Sequence, residues 1–436
     1  MATINVGLLG LGTVGSGVAK ILIEEAELIG QKLGYNLRLA KVCVRNASSA
    51  RNYSPPSDLI TTNPDEIVGN PNIPIVVELL GGLEPARSLV LKALASGQHV
   101  VTANKALLAI HGREIFQKAT EVSREIKFEA AVAGAIPVIR VLKEGLTANR
   151  IQSVFGILNG TTNHILTRMT QNGLTFQDAL SEAQKSGYAE ADPTNDVEGF
   201  DAAHKLALLT ALAYGTLPQI ADFHVEGVTN LEPDDIAAAQ EFGYVIKLLA
   251  SSSFSPTDNR LEIRLHPAML PKNSLMAGVN GVMNAVMIRG HACGDIFLSG
   301  AGAGMMPTAS AVMGDIIEAS RDLLPGAAPQ VPSLGWKTLQ SWSIKPQAEA
   351  RLSYFLRLTV VDKPGVLSAI SGVLGRHNIS IAQVIQKGFD PNRNGVTLII
   401  LTHEAIEKDL LAALAETDKL DALTGPTRLI RVENQI

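Results

Sequence analysis

Cysteine and aromatic residues are scarce in this sequence of 436 residues, which has two cysteines and 4% aromatic side chains. Cys43 and Cys293 are too few for a disulfide scaffold or for a zinc site built from cysteines. Neither charge sign dominates, because 37 basic residues face 42 acidic ones without a basic block, which argues against a nucleic-acid partner. No apolar run reaches membrane-spanning length, and no signal sequence precedes the first predicted strand. We therefore expect a cytoplasmic protein without a membrane partner.

The first part of the chain alternates buried-strand and helix patterns. With 46% apolar residues the chain is globular, and its length predicts two or three domains. Strands that alternate with helices indicate a parallel sheet with helices on both faces, which defines a predicted domain at residues 1–132. Its predicted strands cover residues 4–9, 37–44, 75–80 and 99–102, and its predicted helices cover 14–29, 84–96 and 105–121.

From residue 133 the pattern changes to that of a second α+β domain, predicted to extend to residue 304. A further helix at 307–323 is expected to pack on the first domain, which residues from about 305 to 340 would complete. Low periodicity over 325–346 predicts a linker. The second domain's predicted strands cover residues 151–158, 261–265 and 285–290, and its predicted helices cover 175–186, 198–214 and 233–250.

Residues 351–436 are predicted to form a third domain. Their strand and helix patterns follow the order βαββαβ, which is that of a ferredoxin-like fold. The predicted strands cover residues 352–361, 379–387, 396–402 and 428–432, and the predicted helices cover 364–376 and 405–415.

A glycine-rich turn, Gly10-Leu-Gly-Thr-Val-Gly15, directly follows the first strand and opens a helix, which is the context of a dinucleotide-binding fingerprint. Gly10 permits the tight turn, Gly12 lets the backbone approach a pyrophosphate, and Gly15 lets helix and strand pack closely. Thr13 and Val14 are also predicted to bind the cofactor, since the helix N-terminus offers free N–H groups to phosphates. The alternative is a glycine-rich turn that binds no ligand.

Arg45 follows the second strand, where a domain selective for NAD would carry an acidic residue. A guanidinium can hold a 2′-phosphate, so NADP(H) is favoured over NAD(H). The alternative is a solvent-exposed arginine at a strand end.

An acidic segment, residues 187–205, ends in an apolar helix with one lysine at its start. Asp201 and Lys205 are four residues apart and share a helix face. A lysine among carboxylates could bind a small zwitterion and move a proton, whereas the alternative is a solvated loop with an ordinary salt bridge. The acidic residues of the segment are Glu190, Asp192, Asp196, Glu198 and Asp201.

The glycine fingerprint, Thr102-Ala-Asn-Lys-Ala106, the Gly156–Asn163 stretch and the acidic segment together resemble homoserine dehydrogenase over essentially the whole chain. The C-terminal domain, with Val361-Asp-Lys-Pro-Gly-Val-Leu367 and His377-Asn-Ile-Ser380, resembles an ACT regulatory domain. The resemblance implies NAD(P)-linked interconversion of L-homoserine and L-aspartate 4-semialdehyde on the route to threonine and methionine. A monofunctional enzyme is expected, because no kinase-like extension precedes the fingerprint. A homo-oligomer, either dimer or tetramer, is expected as well.

The same resemblance implies roles for the charged residues. Lys205 is similar to the family's catalytic lysine, the proton donor in aldehyde reduction, and Lys105 resembles a second active-site lysine near the nicotinamide and the substrate. Glu190 and Asp201 match positions that hold the amino acid, with Asp196 nearby. A carboxylate suits the substrate's α-ammonium, and Asp201 would also orient Lys205.

Two glycine-containing segments resemble further binding elements of the family. Glu129, Val132, Gly134 and Ile136 match a monovalent-cation loop that usually binds sodium, and oxygen ligands suit such a hard cation. The alternative is an ordinary loop without an ion. Gly302 resembles a glycine that touches the cofactor.

The C-terminal domain is predicted to bind an effector at the turn that opens its first helix. Asp362 and Gly365 lie at this turn, whose N–H groups could receive a carboxylate, and Asn378 lies at the start of the next strand. The resemblance implies threonine as a feedback inhibitor. The alternative is an oligomerisation domain that senses nothing.

Two other classes of protein remain open on the sequence. One is a different amino-acid-linked dehydrogenase with the same fold, which would lack the constellation from Glu190 to Lys205. The other is a non-catalytic sensor of nucleotide and amino acid, which would not need Lys205.

Overall fold

The structure is a computed structural model that describes residues 2–324, 326–327, 331–390 and 395–436. The predicted linker therefore lies partly outside the described residues. Within the described ranges, no helix combines the length and apolar character needed to cross a membrane. The chain divides into two compact units, of which the first comprises Met1–Gly160, Asp201–Ile220 and Val282–Trp342, and the second Thr161–Phe200, Ala221–Gly281 and Ser343–Ile436.

The described part of the chain forms seventeen strands and thirteen α-helices. The strands are β1 (Thr3–Leu9), β2 (Asn36–Cys43), β3 (Ile60–Thr61), β4 (Ile75–Glu78), β5 (His99–Thr102), β6 (Ile126–Lys127), β7 (Ile151–Ile157), β8 (His224–Val225), β9 (Tyr244–Ser255), β10 (Arg260–Pro271), β11 (Met283–Gly290), β12 (Gly294–Ala301), β13 (Arg351–Val360), β14 (Ile381–Asp390), β15 (Gly395–Thr402), β16 (Ala405–Ile406) and β17 (Arg428–Val432). The helices are α1 (Thr13–Glu24), α2 (Ala26–Leu33), α3 (Ala86–Ala95), α4 (Lys105–Glu121), α5 (Val138–Arg140), α6 (Gly160–Asn172), α7 (Phe176–Lys185), α8 (Thr194–Val197), α9 (Phe200–Tyr214), α10 (Pro233–Glu241), α11 (Met305–Arg321), α12 (Val366–Arg376) and α13 (Glu407–Thr417).

A six-stranded parallel sheet organises the first unit. Its strand order is β3-β2-β1-β4-β5-β6, which is the order of a doubly wound dinucleotide-binding fold and confirms the predicted α/β class. The strand order reverses between β1 and β4, so the crevice beyond their carboxyl ends is the expected ligand position. The helix predicted at 14–29 is two helices, α1 and α2, which meet at Glu25.

Helix α11 packs on the parallel sheet, as the sequence predicts. Its residues Ala309, Val312 and Ile316 share one buried cluster with Val6 and Val18 of β1 and α1. The helices approach closely because Gly17 has no side chain: a Cβ there would lie 2.8 Å from the carbonyl oxygen of Met305 and 2.9 Å from the Cβ of Ala309. The first two turns of α11 therefore lie directly against α1, the helix that follows the glycine-rich turn. The first unit also contains the antiparallel strands β7, β11 and β12.

The predicted helix at 233–250 is wrong beyond its first half. Helix α10 ends at Glu241, and Gly243 adopts a left-handed φ of +81°, after which β9 begins at Tyr244. Strand β9 pairs antiparallel with β10 over twelve residues, and most of its residues are buried. Burial on both faces removes the alternation that marks a strand, so its apolar run is indistinguishable from a helix in sequence. Strand β12 also has no counterpart in the prediction.

The C-terminal domain has the predicted ferredoxin-like fold. Its strands follow the antiparallel order β17-β13-β15-β14, and α12 and α13 contribute Ile370, Val373 and Leu410 to a core with Tyr354 and Leu358. Strand β17 also pairs in parallel with β10. The sheet of this domain therefore continues into the β9–β10 hairpin of the same unit.

Candidate active site

Lys205 and Asp201 form an ion pair at the start of α9. The Lys205 Nζ lies 2.6 Å from the Asp201 Oδ2, and the exposed fraction of each side chain is 11%. The spacing of four residues on one helix face makes this contact, as the sequence predicts. The pair is shielded from water, which strengthens its electrostatic interaction relative to a surface salt bridge.

The end of β7 supplies two further contacts to this pair. The Lys205 Nζ donates a hydrogen bond of 2.7 Å to the Leu158 carbonyl oxygen, and the Asn159 Nδ2 donates one of 2.9 Å to the Asp201 Oδ2. Both residues belong to the Gly156–Asn163 stretch, for which sequence reasoning gave no separate roles. The signal in the sequence was that both residues directly follow a buried strand.

Lys105 is the second ammonium beside Asp201. Its Nζ lies 3.1 Å from the Asp201 Oδ1, and its side chain is 38% exposed. Lys105 is the first residue of α4, which Asn104 caps by accepting a hydrogen bond from the Leu107 N–H. Asp201 therefore lies between two lysines, one buried and one reaching solvent.

The charge of Asp201 is fixed by these neighbours. Burial alone would raise the pKa of this carboxyl group, but the ammonium groups of Lys205 and Lys105 and hydrogen bonds from Lys205 and Asn159 hold its pKa well below the usual range. An anion between two lysines favours the charged form of Lys205 and orients its side chain. The cluster can thus present a proton to a developing oxyanion.

A buried carboxylate, Glu78, positions the start of α4. Its Oε2 accepts a hydrogen bond of 2.6 Å from the Thr102 hydroxyl, which in turn accepts one from the Asn104 N–H. The Asn104 Nδ2 donates to the Gly82 carbonyl oxygen, and the Glu78 Oε1 accepts from the Leu80 N–H. Sequence reasoning missed Glu78, although an acidic residue at the end of a fully buried strand was a visible signal.

The glycine-rich turn has the geometry that a dinucleotide requires. Gly10 has a φ of +101°, and a Cβ there would lie 2.5 Å from the Leu79 carbonyl oxygen. A Cβ at Gly15 would lie 2.3 Å from the Gly10 carbonyl oxygen, whereas one at Gly12 would meet open space. Thr13 and Val14 form the first turn of α1, which lacks a side-chain cap. The residues fit a pyrophosphate, because free N–H groups and room for close approach occur together.

Arg45 lies two residues beyond the end of β2 and is exposed. The loop that follows is closed by Arg51, which donates hydrogen bonds to the carbonyl oxygens of Ala47 and Ser49. The exposed guanidinium of Arg45 is therefore placed on a structured loop at the carboxyl end of β2.

The predicted cation loop packs against the segment that contains Gly302. The Ala135 N–H donates to the Ala301 carbonyl oxygen, and a Cβ at Gly134 would lie 2.5 Å from the Gly302 carbonyl carbon. Gly302 itself has no room for a side chain, since a Cβ there would lie 2.1 Å from the side chain of Asn284. Ala133 has a left-handed φ of 56°, a strained conformation that clusters at functional sites.

Glu129 anchors the same loop. Its two carboxylate oxygens accept hydrogen bonds from the N–H groups of Ile139 and Arg140, while its own N–H donates to the Asp315 Oδ2. Burial raises the pKa of Glu129, against the effect of these two backbone donors. Val132 and Ile136 are buried in the loop. Among the described residues, no group of three or more His, Cys, Asp or Glu side chains is arranged to hold a metal ion.

Glu190 and Asp196 belong to the second unit, whereas Lys105, Asp201 and Lys205 are brought together in the first. Glu190 has an exposed side chain, and its carbonyl oxygen accepts a hydrogen bond from the Gln184 side chain. Asp196 lies in α8 and is half-buried.

A groove of about 530 Å³ lies at the N-terminus of α12. Asp362 and Gly365 line it together with Ser371 and Gln386, whereas Asn378 is not among its lining residues. Gly365 has a left-handed φ of +91° at the N-terminus of α12, which lacks a side-chain cap. The groove therefore combines free N–H groups with hydroxyl and amide side chains.

Family profiles match three successive parts of the chain. Residues 10–129 match the profile described as homoserine dehydrogenase, NAD binding domain, and residues 137–317 match that described as homoserine dehydrogenase. Residues 354–422 match the ACT domain profile.

Similar proteins cover the chain almost end to end. It is 44% identical to the homoserine dehydrogenase of Neisseria gonorrhoeae over 436 residues, covering 100% of this chain and 99% of the relative. Identity to the homoserine dehydrogenase of Pseudomonas aeruginosa is 43%, with 99% of both chains covered. The crystal structure of a homoserine dehydrogenase from Thiobacillus denitrificans matches with a TM-score of 0.92 at 45% identity, covering 100% of this chain and 99% of that one. A hyperthermophilic archaeal homoserine dehydrogenase in complex with NADPH matches with a TM-score of 0.62 at 28% identity, covering 74% and 99%.

Proposed function

The chain belongs to the homoserine dehydrogenase family, oxidoreductases that act on the CH–OH group of homoserine, and we propose that it interconverts L-homoserine and L-aspartate 4-semialdehyde with Lys205 as the proton donor. The observation that carries this assignment of roles is the Lys105–Asp201–Lys205 cluster, in which one carboxylate orients two ammonium groups. A sensor that only binds ligands does not need such a pair.

The residues of the cluster have different proposed roles in aldehyde reduction. The turn from Gly10 to Gly15 would hold the pyrophosphate of a nicotinamide dinucleotide, which when bound would supply the hydride. Negative charge then develops on the aldehyde oxygen, and the Lys205 ammonium stabilises this charge and donates its proton to the oxygen. Lys105 adds a second positive charge beside the reacting group. In the oxidation direction Lys205 returns as the base that removes the hydroxyl proton.

Glu190 and Asp196 are the proposed binding residues for the amino-acid part of the substrate. The α-ammonium of homoserine needs an anionic partner, and an exposed carboxylate such as Glu190 can accept a charge-assisted hydrogen bond from it. Asp196 lies six residues further along the same acidic segment. Binding and proton transfer are thereby assigned to different residues.

The decisive assay follows nucleotide reduction spectrophotometrically with L-homoserine as substrate. We expect turnover with L-homoserine and none with amino acids that lack the γ-hydroxyl, such as L-2-aminobutyrate. Turnover with another hydroxy or amino acid but not with homoserine would favour a different dehydrogenase of the same fold. Nucleotide and amino-acid binding without turnover would favour a sensor.

The cofactor is proposed to be NADP(H), and Arg45 is the residue that would recognise its 2′-phosphate. The archaeal homoserine dehydrogenase of similar fold is in complex with NADPH. We expect Arg45→Ala to raise the KM for NADP about tenfold or more while the KM for NAD changes less than twofold. Arg113→Ala, on the exposed side of α4, is the control. A wild-type preference for NAD, or an equal loss with both cofactors, would contradict the role of Arg45.

We also propose a monovalent cation, with Na+ as the first candidate, in the loop formed by Glu129, Val132, Gly134 and Ile136. The strained backbone at Ala133 and the buried carboxylate of Glu129 support this proposal, since a cation would offset the cost of burying the charge. Backbone carbonyl oxygens suit a hard cation. Such an ion would stabilise the loop against the Gly302 segment and is given no part in the proton transfer.

The groove at the N-terminus of α12 is the proposed threonine site of the ACT domain, with Asp362 and Gly365 as contacts and Asn378 as the more remote candidate. We expect millimolar L-threonine to lower the rate of homoserine oxidation by more than half. Ser371→Trp, which would fill the groove, should abolish the inhibition and leave kcat unchanged. If activity does not change with threonine at any concentration, the ACT domain has a structural or oligomerisation role and does not sense threonine.

We assign the enzyme to threonine and methionine biosynthesis in the cytoplasm and expect a homodimer or homotetramer. We propose domain boundaries at 1–132, completed by about 305–340, then 133–304, and finally 351–436.

A further inference from the structure

The guanidinium of Arg431, on β17 of the C-terminal domain, contacts two carboxylates from different parts of the second unit. Its Nε and Nη2 donate to the two oxygens of Glu407, at 2.9 and 2.6 Å, in a bidentate pair. Its Nη1 donates to the Glu226 Oε2, also at 2.6 Å. The side chains of Arg431 and Glu407 are 6% and 2% exposed, so their contact is a buried ion pair, whereas the Glu226 side chain, at the other end of this arginine bridge, is 39% exposed.

Glu407 holds the Arg431 guanidinium within the C-terminal domain. It is the first residue of α13, and its Oε2 also accepts hydrogen bonds from the Gln347 side chain and the Tyr354 hydroxyl. Arg431 itself lies where β17 pairs with both β13 and β10. The guanidinium is therefore held in one orientation before it reaches Glu226.

Glu226, the second partner of Arg431, is followed by backbone that packs against the acidic segment. Glu226 directly precedes Gly227, whose missing side chain lets the backbone lie against residue 197: a Cβ there would lie 2.3 Å from the Val197 carbonyl oxygen. The Val228 N–H donates a hydrogen bond of 2.8 Å to the same oxygen. On its other side the Glu226 N–H donates to the Leu265 carbonyl oxygen of β10. The turn that carries Asp196 thus rests on the backbone that Glu226 anchors.

We propose that Arg431 is a positioning residue for the substrate site, which through Glu226 fixes the Asp196–Gly199 turn to the C-terminal domain. The proposal rests on the proposed role of Asp196 in substrate binding. Homoserine binding and the conformation of the C-terminal domain are then linked, because the Arg431 guanidinium contacts both Glu226 and Glu407. No shared ligand contact is needed for this linkage.

Glu226→Gln tests the bridge, because it removes one carboxylate and leaves the Arg431–Glu407 pair in place. We expect the KM for homoserine to rise about three- to tenfold, with kcat and the KM for the nucleotide within twofold of wild type. Glu232→Gln is the matched control: Glu232 is 42% exposed against 39% for Glu226, and it also pairs, at 2.8 Å, with a buried arginine of the C-terminal domain, Arg357. The control should lower the melting temperature similarly without changing the KM for homoserine.

Two outcomes would overturn the proposal. An unchanged KM for homoserine in Glu226→Gln would show that the bridge does not position the turn. Equal KM changes in Glu226→Gln and Glu232→Gln would show general loosening of the unit. Asp196→Asn distinguishes failure of the bridge from failure of the proposed function. If Asp196→Asn raises the KM for homoserine and Glu226→Gln does not, only the proposed role of Arg431 and Glu226 is wrong. An active Asp196→Asn enzyme with a normal KM would refute the role of Asp196 in substrate binding.

Discussion

Lys205→Met should lower kcat about 10³-fold or more while the dissociation constant for NADPH changes less than twofold. Methionine has a similar length and no charge, so it fits the buried position but can neither stabilise the alkoxide nor donate a proton. Asp201 keeps Lys105 as a cationic partner, so the rest of the cluster remains charge-compensated. Stopped-flow or steady-state kinetics in both directions measures the loss, and fluorescence titration measures nucleotide binding.

Two further variants sharpen this prediction. Lys143→Met is the matched control, because Lys143 is also a buried, ion-paired lysine of the first unit, at 3.8 Å from Glu318, and is expected to leave kcat nearly unchanged. Lys205→Arg keeps the positive charge but replaces the ammonium by a guanidinium that does not give up its proton. Near-normal kcat in Lys205→Arg would assign the effect to charge alone, and near-normal kcat in Lys205→Met would remove Lys205 from the mechanism.

The contacts of this site that sequence could predict are the local ones. The Asp201–Lys205 pair follows from a spacing of four residues within one helix. The contact of Lys105 with Asp201 joins two helices whose residues are 96 positions apart, and only resemblance to a family indicated that both act at one site. Asn159 and Glu78 were missed because their hydrogen-bond partners, Asp201 and Thr102, lie 42 and 24 positions away along the chain. Spacing along the chain carries no signal for such contacts.

The fold shows the same division between local and non-local information. The parallel sheet and the βαββαβ domain follow from alternating patterns, and the structure confirms both. The error at residues 242–250 arose because β9 is buried on both faces, so its sequence shows no alternation. The pairing of β17 with β10, which joins the C-terminal domain to the hairpin, depends on two strands about 160 residues apart and could not be read from either strand alone.

Asp201→Asn should be the most destabilising conservative change in the site, because it removes the anion that compensates two ammonium groups. Loss of one partner from a buried pair costs about 3 kcal/mol of unfolding free energy. We also expect kcat to fall about 10²-fold, because Lys205 loses the group that orients it while its bond to the Leu158 carbonyl oxygen remains. Glu198→Gln, the same carboxylate-to-amide change on a half-buried neighbour in the acidic segment, should change both quantities little.

The stability loss in Asp201→Asn should also depend on pH in a defined direction. The neighbouring ammonium groups hold the pKa of Asp201 below its unfolded value, so the charged carboxylate stabilises the folded state fully above an unfolded pKa of about 4. As the pH falls below that value, the unfolded chain takes up a proton first and the stabilisation is lost. The difference in unfolding free energy between wild type and Asp201→Asn should therefore stay constant from pH 8 to about pH 5.5 and shrink at pH 4, as urea unfolding at each pH would show. A difference that grows on acidification would mean that Asp201 is protonated in the folded enzyme, which would leave Lys205 without the fixed anion on which its role depends.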